Sequence, residues 1–241
     1  PGEILEYNLN GKYSFKKINN SNLSINYNIK EEEAIEEYSF LLKKAVERQM
    51  ISDVPVGLFL SGGIDSAVIG YFMQGKSKTK ISSFAIGFSG KGNYNELKDA
   101  EESSRFINSI HHGTELSKEE YLDFFGKSFY HLEEPAAETT IPALYYLSKL
   151  ASKKVKVVLA GQGADEPLAG YKRYYGESKI SKYRPLLNLI PVNLLSSVLP
   201  RNERIKRASY ALNFSDELQR FLAIYTIFTP QQKEKLLNED A

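Results

Sequence analysis

Apolar residues recur at three- and four-residue steps between 31 and about 50. They are Ala34, Ile35, Tyr38, Leu41, Leu42, Ala45 and Val46, with glutamates before them and Lys/Arg later. That spacing predicts an amphipathic helix whose charges suit its own dipole. The texture then changes. Residues 54–60 form a short apolar run closed by Ser61-Gly62-Gly63, which reads as a strand buried on both faces. A helix over 64–74 follows, with Gly75 as its C′ residue. The pattern continues with a strand at 81–88, a helix at 93–108 and a strand at 111–116. Helices at 118–131 and 141–153 lead to a buried strand at 155–160, broken by Gly161-Gln162-Gly163. Beyond Ala164 the chain reads as helices and loops punctuated by Pro185 and Pro191, with a helix at 216–228. Ahead of all this, residues 3–18 read as a hairpin about Asn10-Gly11, a dipeptide suited to a type I′ turn. Residues 19–29, rich in Asn and Ser, read as a linker.

Strands alternating with helices imply an α/β fold: a parallel sheet with helices on both faces, preceded by a β-hairpin. In such sheets ligands bind beyond the carboxyl ends of the strands. Two of the strands end in Gly-rich loops, after Leu60 and after Ala160.

Composition narrows the function. The chain has 241 residues, 42% hydrophobic and 25% charged, enough for one large domain with an appendage. With 31 Lys+Arg against 30 Asp+Glu it lacks the basic excess of a nucleic-acid binder. The Lys-rich stretches at 76–80 and 201–207 read as solvated surface. There is no cysteine, which excludes disulfides, thiolate zinc sites and a Cys nucleophile from this chain. No apolar run reaches the ~18 residues of a membrane span, and the first residues do not read as a signal peptide. The expected location is cytoplasmic. The histidines are His111, His112 and His131. Adjacent His111 and His112 on a strand point to opposite faces, so they read as structural rather than as joint metal ligands.

The segment with most chemical content is Ser61-Gly62-Gly63-Ile64-Asp65-Ser66, set between a buried strand and a helix. Gly62 and Gly63 let the backbone approach a ligand and aim N–H groups at it. Ser61 and Ser66 add hydroxyls, and the helix brings its positive end to the same point. A pyrophosphate group fits this arrangement. Asp65 would repel phosphate unless a cation lies between them, so it reads as a Mg²⁺ ligand. The plainer alternative is a capped strand-to-helix turn. A nearby string running from Gly70 to Gly75-Lys76-Ser77 satisfies the Walker A spacing. It begins inside a predicted helix and leads into a strand, the wrong context for that loop. After the other buried strand comes Gly161-Gln162-Gly163-Ala164-Asp165-Glu166, then Gly170-Tyr171. Asp165 reads either as a helix cap or as a second Mg²⁺ carboxylate beside Asp65.

On these residues, Ser61–Ser66 resembles the pyrophosphate loop of the ATP pyrophosphatase superfamily, whose fold is termed adenine nucleotide alpha hydrolase-like. Within it, five segments are similar to the glutamine-hydrolysing asparagine synthetases: 52–57, Asn95-Glu96-Leu97, Glu134-Pro135, Thr140-Ile141-Pro142 and, above all, 161–171. The similarity is collinear from Glu31 to Tyr174. It implies residues 1–29 as the end of an N-terminal glutaminase-like domain with its linker, and 30–241 as an ATP-binding synthetase domain cut short at its C-terminus. It implies ATP and Mg²⁺ as cofactors, and adenylation of the aspartate side chain followed by attack of ammonia derived from glutamine. Carried over by residue, Ser61, Gly62, Gly63, Asp65 and Ser66 contact pyrophosphate and Mg²⁺. Leu60, Ile86 and Gly161 contact adenosine, and Asp165 supplies the second metal carboxylate. Glu96 also falls on a motif position. A homodimer is compatible with the sequence, which by itself gives no oligomeric state.

One position departs from the pattern. The family usually carries Glu or Asp where this chain has Gln162. Gln162 still counts here as a catalytic candidate beside Asp65 and Asp165, but an amide has no titratable group and orients a nucleophile only through hydrogen bonds. The departure keeps open a sister amide ligase, β-lactam synthetase-like or peptide-modifying, that adenylates another carboxylate. A tRNA-modifying relative is disfavoured by the balanced charge. A degenerate scaffold is disfavoured by the complete loop.

Overall fold

The computed structural model describes residues 2–18, 25–90, 95–133, 138–187, 207 and 209–237. The elements in order are β1 (Glu3–Tyr7), β2 (Tyr13–Lys17), α1 (Glu31–Gln49), β3 (Val56–Phe59), α2 (Ile64–Lys76), β4 (Ser82–Phe88), α3 (Leu97–Phe106), β5 (Ile110–Leu116), α4 (Lys118–Leu132), α5 (Ile141–Ala151), β6 (Val157–Ala160), α6 (Asp165–Leu168), α7 (Lys172–Leu187), α8 (Glu217–Tyr225) and α9 (Pro230–Leu236). Strands β3 to β6 form one parallel sheet in the order β5-β4-β3-β6.

Alternation along the strands divides the core into two layers. Leu58, Leu60 and Ala85 pack with Val46 of α1, Met73 of α2 and Ala100 of α3. On the opposite face Phe84 packs with Ala151 of α5 and Val155, joined by Phe59, Leu147 and Val158. Both faces of the sheet are covered, as all-parallel sheets require. Helix α4 lies on the α5 side. Its Phe124 ring stacks on Tyr145 at 3.9 Å between centroids, and a Ser117/Glu120 capping box starts it. His111 and His112 do face opposite ways. His111 Nδ1 lies 3.0 Å from Ser83 Oγ, while His112 stacks on Phe84. Desolvation by burial pushes both imidazoles below their usual pKa.

Several local expectations are corrected. The hairpin turn is not type I′. Gly11 alone of its tip residues has positive φ, and its N–H donates to Asn8 O at 2.9 Å. This is a type I turn closed by a left-handed glycine bulge. Gly75 lies within α2, which continues to Lys76. Pro185 lies inside the last turn of α7 rather than before a break. Pro191 and the Glu134-Pro135 motif fall outside the described residues. The Walker-like string is helical as expected, and Gly70 is buried against Leu58 and Ile107. No described helix is long and apolar enough to cross a membrane.

Candidate active site

The order β5-β4-β3-β6 places a topological switch between β3 and β6. From β3 the chain steps through β4 to β5 on one side, then returns to lay β6 on the other. A crevice opens at the carboxyl ends of strands at such a point. The register pairs Phe59 with Ala160, so the loop after β3 and the loop after β6 emerge side by side. Two segments about a hundred residues apart in sequence become one site.

Between them lies a cleft of about 670 Å³, within the range of small-molecule sites. Its apolar wall comes from Phe59, Ile86 and Val158 at the strand ends and from Ala143, Leu144 and Leu147 on one face of α5. Its polar wall comes from Ser61, Asp65, Ser66, Glu96, Thr140 and Gln162. Of the residues singled out from sequence, Leu60, Ser61, Asp65, Ser66, Ile86, Gly161 and Gln162 all line this cleft. Gly62, Gly63 and Asp165 do not. The α5 residues were missed, although the Thr140-Ile141-Pro142 start and the spacing of Ala143, Leu144 and Leu147 mark one apolar helix face.

Glycine is required in this site for close approach. A Cβ on Gly161 would stand 2.7 Å from Ser66 N and 2.9 Å from the Asp65 carbonyl carbon, both backbone atoms. The second loop is therefore pressed onto the first turn of α2. A Cβ on Gly62 would stand 2.7 Å from Asp99 Cβ on α3. The loop is clasped from both sides.

Ser66 organises the loop. It is 4% exposed, and its Oγ accepts from Ser61 N–H at 3.1 Å, donates to Gly63 O at 3.1 Å and lies 3.0 Å from Ser61 Oγ. Its donor and acceptor capacity is thus used within the loop. Ser61 Oγ also accepts from Gly63 N–H at 3.2 Å. The N-cap of α2 is Gly63, which brings no side chain to cover the first-turn N–H groups. Those groups have no carbonyl partner within the helix. Together with the helix dipole they make an anion-binding terminus.

The carboxylates have distinct settings. Asp65 sits in the first turn of α2 and lines the cleft. Asp165 opens α6 beyond β6, its side chain packed against Gly170. Neither forms an ion pair among the described residues. Carboxylates of this kind are hard-oxygen donors that could hold a Mg²⁺ ion, but only Asp65 lines the cleft, while the Asp165 side chain lies against Gly170. No group of three or more His, Asp or Glu that could hold a metal ion occurs among the described residues. Glu96, at the N-cap of α3, accepts from Gly62 N–H through Oε2 at 3.4 Å. No Lys, Arg or His lines the cleft among the described residues.

The family model described as asparagine synthase matches residues 37–239. Glutamine-hydrolyzing asparagine synthetase 1 of Bacillus subtilis is 29% identical over 238 residues, covering 98% of this chain and 37% of that protein. Glutamine-hydrolyzing asparagine synthetase B of Escherichia coli is 31% identical over 151 residues, covering 56% of this chain and 26% of that protein. The chain thus spans between about a quarter and somewhat over a third of the length of these curated relatives. Among solved structures, an NH₃-dependent NAD synthetase from Campylobacter jejuni is similar at a TM-score of 0.39 and 19% identity, over 56% of this chain and 60% of that one. With the family match covering most of its length, this chain belongs to the asparagine synthase family.

Proposed function

We propose that this chain is the ATP-binding part of an amide-forming ligase that adenylates a carboxylic acid and passes the acyl group to an amine. The supporting observation is the switch-point cleft, where the Ser61–Ser66 loop and the Gly161–Asp165 loop meet with Asp65 on the wall. In this reading the acid substrate is aspartate and the amine is ammonia released from glutamine. A substrate carboxylate oxygen attacks the α-phosphorus of ATP, the bond to the β-phosphate oxygen breaks, and pyrophosphate leaves. Ammonia then attacks the acyl carbon, loses a proton, and the C–O bond to AMP breaks. The adenosine lies along Leu60, Ile86 and Gly161. The pyrophosphate faces the N–H groups of Gly62 and of the first turn of α2, and Gly63, whose own N–H is held by Ser61 Oγ, lets the backbone come close. Mg²⁺, when bound through Asp65 and Asp165, offsets phosphate charge. The chain contains no cysteine, so glutamine hydrolysis by a Cys nucleophile is assigned to a separate domain. Residues 1–29 are read as the end of that domain and its linker. A cytoplasmic location fits these substrates.

The test is ATP–pyrophosphate exchange with Mg²⁺ on the full-length gene product, with aspartate and no amine. Exchange that depends on aspartate and falls at least about a hundredfold (~2.7 kcal/mol) in Asp65→Ala supports the reading. Exchange that survives the substitution refutes the role of Asp65.

A second reading is favoured by Gln162, which lines the cleft yet cannot take a proton. A sister amide ligase acting on another acid would alter this side of the site and keep Asp65. Exchange with another acid but not with aspartate would select it.

A further inference from the structure

The charge balance of the cleft poses a problem for a nucleotide. Its described walls carry two carboxylates, Asp65 and Glu96, and no cationic side chain. Glu96 goes further than adding charge. Its Oε2 accepts a hydrogen bond from Gly62 N–H, one of the donors that a pyrophosphate oxygen would use. A carboxylate on a loop amide is the chemical stand-in for a phosphate oxygen. At 3.4 Å between exposed groups the bond is long and weak.

The backbone beneath Glu96 is anchored, so only its side chain is free to leave. Asn95 Oδ1 accepts from Leu97 N–H at 3.2 Å, and Asn95 Nδ2 donates to Glu115 at 3.2 Å. Asp99, one turn on, abuts Gly62. These contacts hold the first turn of helix α3 against the loop.

We infer that Glu96 is a displaceable internal anion, which occupies the Gly62 amide in the free protein and makes nucleotide binding depend on a divalent cation. Without the cation, triphosphate must displace the carboxylate and then sit beside it. With the cation between them, the repulsion is cancelled and the side chain swings clear. The inference rests on the nucleotide reading above and adds to it a residue that ties nucleotide affinity to the cation.

Isothermal titration of ATP into the full-length gene product, in EDTA and in excess MgCl₂, tests it. Glu96→Gln keeps the side chain's size and an acceptor oxygen but removes the charge. Removing one charge about 4 Å away in a wet site should tighten metal-free ATP about fivefold. In MgCl₂ the gain should shrink below about twofold by the same screening argument. Glu102→Gln, on the same helix and exposed, is the control for one lost charge and should change neither value. An absence of gain in EDTA would overturn the inference, whether because affinities match or because neither protein binds ATP without the cation. A gain equal to that of Glu102→Gln, or weaker binding in both buffers, would also overturn it. Failure of the unsubstituted protein to bind ATP even with Mg²⁺ would instead overturn the nucleotide reading itself.

Discussion

Gly161 carries the sharpest steric demand in the site. Its would-be Cβ meets Ser66 N and the Asp65 carbonyl carbon, and backbone cannot rotate aside as a side chain can. Gly161→Ala should push β6 off the loop, costing about 1–3 kcal/mol of stability as overpacking does. ATP affinity should fall about tenfold or more (~1.4 kcal/mol), measured by thermal unfolding and by titration. Gly126→Ala is the contrast. It lies mid-way along α4 with open space around it, and should gain about 0.5–1 kcal/mol. His111 supplies a pH prediction. Burial holds its folded pKa below 6.5, so the unfolded chain binds the proton more readily. Stability should be complete above pH 6.5 and fall as pH drops from there toward the depressed folded value. His112 adds in the same direction. Urea midpoints at pH 7.5 and 5.5 would show the drop, and His111→Asn should flatten part of it. A midpoint that rises on acidification would contradict the assignment.

Helices α7 and α8 are joined by a buried ion pair. Arg220 Nε donates to Glu177 Oε1 at 2.9 Å, and its other nitrogens donate to Ser215 O and Ser181 Oγ. Glu177 is 7% and Arg220 3% exposed, and Glu177 Oε2 has no hydrogen-bond partner among the described residues. Arg220→Met would strand a buried carboxylate and should cost about 3–5 kcal/mol. Glu177→Leu combined with Arg220→Met should recover most of that loss. A double-mutant cycle in urea measures both. Nothing in the sequence marks this pair, because the partners are far apart and charged residues are ordinarily read as surface. The strands were legible for the opposite reason. The run 54–60 carries no charged residue, which suits the central strand β3, whereas 155–160 is broken by Lys156, and β6 proves to be a half-exposed edge strand over Val157–Ala160 rather than a buried one. The loop Ser61–Ser66 was legible because its glycines and polar groups are contiguous. At α3, Glu96 stood out only as a motif position without a role, and Asp99 did not stand out at all. Glu96 and Asp99 reach Gly62 only through packing, and Ser66, read as a ligand donor, has its hydroxyl engaged inside the loop. Helix ends misled too: Gly75 is followed by one more helical residue because no left-handed cap forms there.

The whole molecule divides unevenly between sheet and hairpin. Every residue of β1 and β2 is exposed, including the Leu5–Phe15 and Tyr7–Tyr13 pairs that share one face. Two strands alone are marginal in water. Deleting residues 1–18 should therefore leave the main thermal transition of the sheet within about 2 °C, because a segment that buries little adds little. A larger fall would show that the hairpin supports the core. The pairing of β3 with β6 has a consequence in time as well as in space. Val56 meets Val157 only after the intervening α2, β4, α3, β5, α4 and α5 have been made. Contacts of such separation are slow, since the chain must lose its freedom before the contact rewards it. On the ribosome, the Ser61–Ser66 loop emerges early, and the cleft remains half-built until β6 docks. Chains halted or cleaved before residue 157 lack the Gly161 and Gln162 side of this crevice, so on the nucleotide reading proposed above, competence waits for β6.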